Sequence, residues 1–90
     1  MDFSEALIAL KKGHRVLRLG WNGKGIHVTH KTGYRSIPCN EEHASAHKID
    51  RNSKICYLPY LEMKTAQGDY VPWLASQTDI LAEDWEIKED

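Results

Sequence analysis

The chain is short of most things that would place it in a specialised class. Two cysteines, Cys39 and Cys56, are too few for a disulfide framework and suit an intracellular setting with reduced thiols. The longest apolar runs, such as Ala6 to Leu10, fall far below the roughly 20 residues that span a bilayer. No basic segment followed by an apolar run opens the chain, so no secretory leader is read. Neither sign of charge dominates: 12 Lys and Arg face 13 Asp and Glu, a formal net charge of −1. That excludes the one-sided basic surface with which proteins neutralise many nucleic-acid phosphates. Neither DNA or RNA nor a membrane is expected as a partner. A small anion with one or two phosphates needs only a few local donors and stays open. Internal repeats and low-complexity segments are absent, as are the Gly-x-Ser-x-Gly, phosphate-loop and His-Glu-x-x-His patterns. No acid or histidine pair is placed for proton transfer, so no catalytic residue is assigned.

What is present is ordinary for a globular protein: 41% hydrophobic and 28% charged residues. Ninety residues make one domain at most, spanning 1–90. A chain of this length buries only about 60–65% of its unfolded surface. A small core with several large aromatics often completes its burial by oligomerising.

Periodicity predicts an α+β fold, with an N-terminal helix on a small antiparallel sheet and a short second helix near the C-terminus. Asp2 to Lys12 reads as the first helix, with Phe3, Ala6, Leu7 and Leu10 at helical spacing. Asp2 and Glu5 form a capping box, and Gly13 supplies the left-handed stop. Arg15 to Trp21 alternates as a strand, and a turn over 21–25 leads to a second strand over Gly25 to His30. Pro38 to Ser53 lacks either period and reads as a long polar loop with room for one helical turn. Ile55 to Thr65 reads as one strand in which Pro59 demands an edge position or a bulge. A hairpin turn at 66–69 precedes Tyr70 to Trp73. Ser76 to Asp79 matches a capping box before a short helix, and Trp85 to Ile87 reads as a last strand with both residues facing inward.

Leu58 to Trp85 sets Tyr60, Tyr70, Trp73 and Trp85 beside Lys64, Gln67, Ser76, Gln77, Thr78 and Asp79. Aromatic faces next to hydrogen-bonding side chains are what a site for a flat polar ligand requires. On composition alone these aromatics read as core. Trp21-Asn22-Gly23-Lys24-Gly25 offers a stacking face, an amide, exposed backbone N–H groups and a cation, an arrangement able to hold a phosphate. By itself the motif reads more simply as a hairpin turn with a core tryptophan. Trp73 to Asp79 leads into a helix start, where an anion can bind and Asp79 can hold ribose hydroxyls. It is equally a cap. Cys39, His43 and His47 fall four residues apart and on a helix would share a face able to ligate zinc. No fourth ligand sits at a recognisable spacing, so a solvated polar loop is preferred and neither metal nor cofactor is expected. Glu83 and Asp84 most simply solvate a helix end.

Two segments, 1–25 and 58–87, resemble a small phage and prophage domain family long catalogued as of unknown function. Its distinctive pairing is Gly-Trp-Asn-Gly with Val-Pro-Trp-Leu-Ala-Ser-Gln-Thr-Asp and Asp-Trp, and all of it is present here. Segment 29–54 matches nothing recognisable. The family includes the second type of Thoeris anti-defence protein. The resemblance implies a non-catalytic sponge that holds a cyclic nucleotide immune signal, glycocyclic ADP-ribose, without cleaving it. Some members also hold cyclic dinucleotides, the signals of CBASS defence, at separate sites. It implies a helix on a small antiparallel sheet, assembled as a homotetramer with sites between protomers, in the host bacterial cytoplasm. Matching motifs carry over Trp21, Asn22, Trp73, Ser76, Gln77, Thr78 and Asp79 as ligand-binding residues. Chemistry adds Gly23 and Ala75 within those motifs. It also adds Arg18, Lys24 and Lys64 as phosphate partners and Phe3 as a side chain closing a neighbouring protomer's site. A protein–protein module anchored by Trp21 and Trp73, or an enzyme that degrades the signal, are the alternatives.

Overall fold

Residues 1–21 and 25–89 are described by a computed structural model. The first helix, α1 (Phe3–Lys11), forms where its caps place it. The Asp2 carboxylate accepts from the Glu5 N–H at 2.9 Å, and the Glu5 carboxylate accepts from the Asp2 N–H at 3.0 Å. At the other end Gly13 adopts φ +95°, while the His14 and Gly13 N–H groups reach back to Ala9 and Leu10. This pairing satisfies carbonyls that the helix leaves open and turns the chain sharply into the first strand.

Five antiparallel strands follow in the spatial order β6–β5–β2–β1–β7: β1 (Val16–Arg18), β2 (His27–Lys31), β5 (Tyr60–Lys64), β6 (Tyr70–Pro72) and β7 (Trp85–Ile87). α1 lies across β7, β2 and β1. Its small residues Ala6 and Ala9 let it approach closely, and with Leu10, Val16, Val28 and Trp85 they form the buried core. The expected α+β architecture is confirmed. The short helix near the C-terminus, α3 (Gln77–Leu81), carries the expected Ser76–Asp79 capping box.

The middle of the chain differs from expectation. Pro38 to Ser53 is not a long loop. It holds the end of β3 (Tyr34–Pro38) and a helix, α2 (Glu41–His47), before β4 (Lys54–Tyr57). The C-terminal helix is therefore the third. β3 and β4 pair with each other in a separate two-stranded sheet. The single strand expected over Ile55 to Thr65 is two, broken at Leu58 and Pro59. Proline has no N–H for the ladder and favours an extended residue before it. The chain uses that break to pass from one sheet to the other. No element contact joins α2, β3 or β4 to the five-stranded sheet among the described residues, so this part stands off as an arm. At its root Gly33 has φ +82°, and a Cβ there would overlap the Tyr57 carbonyl oxygen.

Two further expectations are corrected. The strand read over Arg15 to Trp21 stops at Arg18, where the Trp21 N–H bonds the Arg18 carbonyl in a turn. Leu19 consequently faces solvent. Trp85 is fully buried, but Ile87, on the edge strand β7, is 37% exposed.

Candidate functional site

The turn after β1, the segment after β6 and the start of α3 converge on Trp85. Phe3 and Trp21 lie with ring centroids 5.4 and 5.3 Å from Trp85, and Trp73 lies 5.9 Å away. Trp21 and Trp73 meet edge to face at 6.2 Å, and Phe3 lies 6.3 Å from Trp73. Edge-to-face contact sets the positive rim of one ring against the negative face of the next, the preferred arrangement for aromatic pairs. Trp85 is wholly buried, while Phe3, Trp21 and Trp73 are half-buried and each keeps part of its surface free. The cluster is thus both core and platform.

Polar groups frame it. Arg18 bonds Asp79 through Nη1 and Asp84 through Nε, each at 2.9 Å. Asp84 Oδ2 also accepts the Gly20 N–H at 2.9 Å. Asp79 Oδ2 accepts from the Ser76 N–H at 3.1 Å and its hydroxyl at 2.9 Å. The Trp85 indole N–H donates to the Asp79 carbonyl at 2.9 Å. One aspartate therefore ties α3 to its own cap, to β1 and to the central tryptophan. Burial alone would raise the Asp79 carboxyl, but bonds from Arg18 and Ser76 outweigh it and hold the group below the ordinary aspartate value. Asp84 is held low chiefly by the Arg18 bond, then by the Gly20 N–H. Arg18 is pushed up in turn by its bonds to Asp84 and Asp79.

The structure brings together Phe3, Arg18, Trp21, Trp73, Ser76 and Asp79 from the residues singled out in the sequence. Ala75 is half-buried between Trp73 and the cap, and Gln77 and Thr78 are exposed on the first turn of α3. Lys64 stands apart, with its ammonium 3.2 Å from where a Cβ on Gly25 would lie. It therefore sits beside Gly25. Asn22, Gly23 and Lys24 lie outside the described residues. The reading of Glu83 and Asp84 as mere solvating acids missed the role of Asp84, which closes the Arg18 network. No local sequence signal marked it: Asp84 falls beside the end of β1 only because Arg18 pairs with Trp85 across the sheet.

Behind the turn, His27 is buried at 8% exposure, and its Nδ1 lies 3.0 Å from the Gly25 carbonyl. That bond places a proton on Nδ1 in the neutral ring. Burial depresses the His27 pKa, the Gly25 carbonyl opposes this, and the nearby Arg15, Lys64 and Lys88 charges add to the depression.

Cys39, His43 and His47 do not converge as a zinc triad. Cys39 precedes the Asn40 cap of α2 and turns its thiol toward the Asp50 and Arg51 carbonyls at 3.7 Å. His43 and His47 do share the helix face, with rings 4.4 Å apart.

A helix over an antiparallel sheet, with a half-buried aromatic cluster framed by a paired arginine, defines a compact α+β domain. A family model described as "Thoeris anti-defense 2-like domain" matches residues 1–88. The chain belongs to that family. It is also similar to the protein named "Thoeris anti-defense 2" of Bacillus phage SP01, at 37% identity over 87 residues, covering 97% of this chain and 93% of that protein. No helix among the described residues is long and apolar enough to cross a membrane.

Proposed function

We propose that this protein is an anti-defence sponge: it binds a cyclic nucleotide immune signal and withholds it from its effector without cleaving it. The signal class we assign is glycocyclic ADP-ribose, with cyclic dinucleotides as a second class. The relative's name supports an anti-defence role, directed at Thoeris. The observation that carries the ligand class is the pair of half-buried indoles, Trp21 and Trp73, set edge to face at 6.2 Å beside the Asp79 cap. A base stacked on one indole gains about 1–3 kcal/mol. Asp79 Oδ1, already bonded to Arg18, retains a lone pair for a ribose hydroxyl. The exposed Gln77 and Thr78 side chains supply donors and acceptors for base edges. Lys64, beside Gly25, supplies a cation for phosphate. Asn22, Gly23 and Lys24 complete the site in this reading.

A sponge acts by stoichiometry, so binding must be tight. Nanomolar affinity takes about 12 kcal/mol, more than two stacked bases supply. Phosphate and ribose contacts must add to stacking, and a homotetramer with sites between protomers would bring further groups, Phe3 among them. The test is a thermal-shift screen of glycocyclic ADP-ribose isomers and cyclic dinucleotides, followed by denaturation and mass analysis of the released nucleotide. Ligand at 100-fold excess over Kd should stabilise the protein by about 2.7 kcal/mol and be recovered intact. Recovery of a cleaved product would identify an enzyme. A flat panel would favour a protein–protein module.

A further inference from the structure

We propose that His43 and His47, on the arm, form a two-histidine chelate for a divalent transition metal ion of the zinc, nickel or copper group. The pair is one helical turn apart on α2, so both rings leave the same face. Their centroids are 4.4 Å apart with planes tilted by 33°. Two imidazoles bonding one ion, with metal–nitrogen bonds of about 2.0–2.1 Å, hold their centroids roughly 4.5 Å apart at a right angle and roughly 5 Å apart at the tetrahedral angle. The pair is thus spaced close to what chelation requires, and His47, with no hydrogen bond or ring contact besides the His43 ring among the described residues, is the ring left to adjust.

His43 is already oriented by a third residue. Its Nδ1 lies 3.1 Å from the Tyr57 hydroxyl on β4. A histidine that binds metal through Nε2 keeps its proton on Nδ1 and donates it to such a partner, which fixes the tautomer and strengthens the ligand. The Tyr57 ring meets the His43 ring edge-on, with centroids 5.8 Å apart, and holds it in place. The rings open into a groove of about 310 Å³, lined also by Asn40, Glu42 and Ala46. No third histidine, cysteine or carboxylate joins them among the described residues, so the ion keeps open positions for water or an added ligand.

The chelate would matter most to α2 itself. This helix buries only Ala44 and contacts no element of the five-stranded sheet among the described residues. An ion bonded to consecutive turns and linked through His43 to Tyr57 staples the helix to β4.

The test is calorimetric titration of the full chain with zinc chloride and, separately, nickel chloride. His43→Ala, His47→Ala and Tyr57→Phe variants are titrated alongside. One ion per chain is expected, with the heat abolished in either histidine variant and affinity about 10-fold or more weaker in Tyr57→Phe. Nitrogen NMR of the zinc-loaded native chain gives a readout that needs no variant: His43 should be ligated at Nε2 and protonated at Nδ1. Hydrogen exchange across α2 and β4 should slow on loading. Absence of binding, or binding that survives both alanine substitutions, overturns the proposal, as does a zinc-loaded spectrum in which neither ring shifts.

Discussion

The indole N–H of Trp85 donates to the main-chain carbonyl of Asp79, six residues earlier, across 2.9 Å. Through that bond the central ring of the core is fastened to the first turn of α3. The same turn carries the groups proposed to face the ligand. Stability and site geometry therefore share a residue.

Trp85→Ala should cost about 3–5 kcal/mol, because the ring is wholly buried in the core. Trp85→Phe should cost less. It keeps much of the burial but leaves the Asp79 carbonyl without its indole donor, at about 1–3 kcal/mol. Urea denaturation midpoints of the two variants measure the difference.

Trp73→Ala should leave the fold in place, because this ring is half-buried at the edge of the cluster. Ligand affinity should fall by the value of one stacked base, about 1–3 kcal/mol, or roughly 5- to 150-fold in Kd. Trp73→Phe should recover part of it. Titration of each variant with the nucleotide that shifts the native protein checks this. An unchanged Kd for Trp73→Ala would remove Trp73 from the site.

The Arg18 network predicts an acid limb of known sign. Asp79 and Asp84 both sit below their ordinary values in the folded chain. The stability they contribute is fully present above the unfolded carboxyl value of about 3.9 and is lost as pH falls through the lower folded values. The stability gap between the native chain and Arg18→Met should therefore be constant from about pH 7 to pH 5 and close below about pH 4. Urea midpoints across that range test it. A gap that widens with acid would contradict the assignment.

His27 predicts a second limb at milder pH. Its folded pKa is depressed, chiefly by burial, so the unfolded chain takes up a proton first as pH falls below about 6.5. Stability should decline from there and level off once pH is below the folded value. His27→Gln should flatten this limb while leaving the carboxylate limb intact. Thermal melts at half-unit intervals between pH 5 and 7.5 separate the two.

Elements whose signals are local were legible in the sequence. Asp2 with Glu5, Gly13, and Ser76 with Asp79 each satisfy backbone groups within a few residues, and both helices they bound are where they were expected. α2 was not legible, because an arm helix that buries only Ala44 has no reason to carry an apolar stripe. Pro59 announced a disturbance, but a break between two sheets and a bulge within one look the same in a linear string. Trp21 and Trp73 could be named as site candidates from motif and chemistry. That Trp85 joins them could not, since the contact depends on how β7 docks beside β1. Arg18 is the clearest case. It finds partners 61 and 66 positions away, and nothing near it in sequence marks it as already neutralised.

The arm that stands clear of the five-stranded sheet has an evolutionary consequence. Substitutions along α2, β3 and β4 leave the packing around Trp85 undisturbed, so selection for a stable platform exerts little hold on them. What this outer part touches can therefore change without altering the packing of the platform. Most of segment 29–54, from Tyr34 onward, belongs to that outer part.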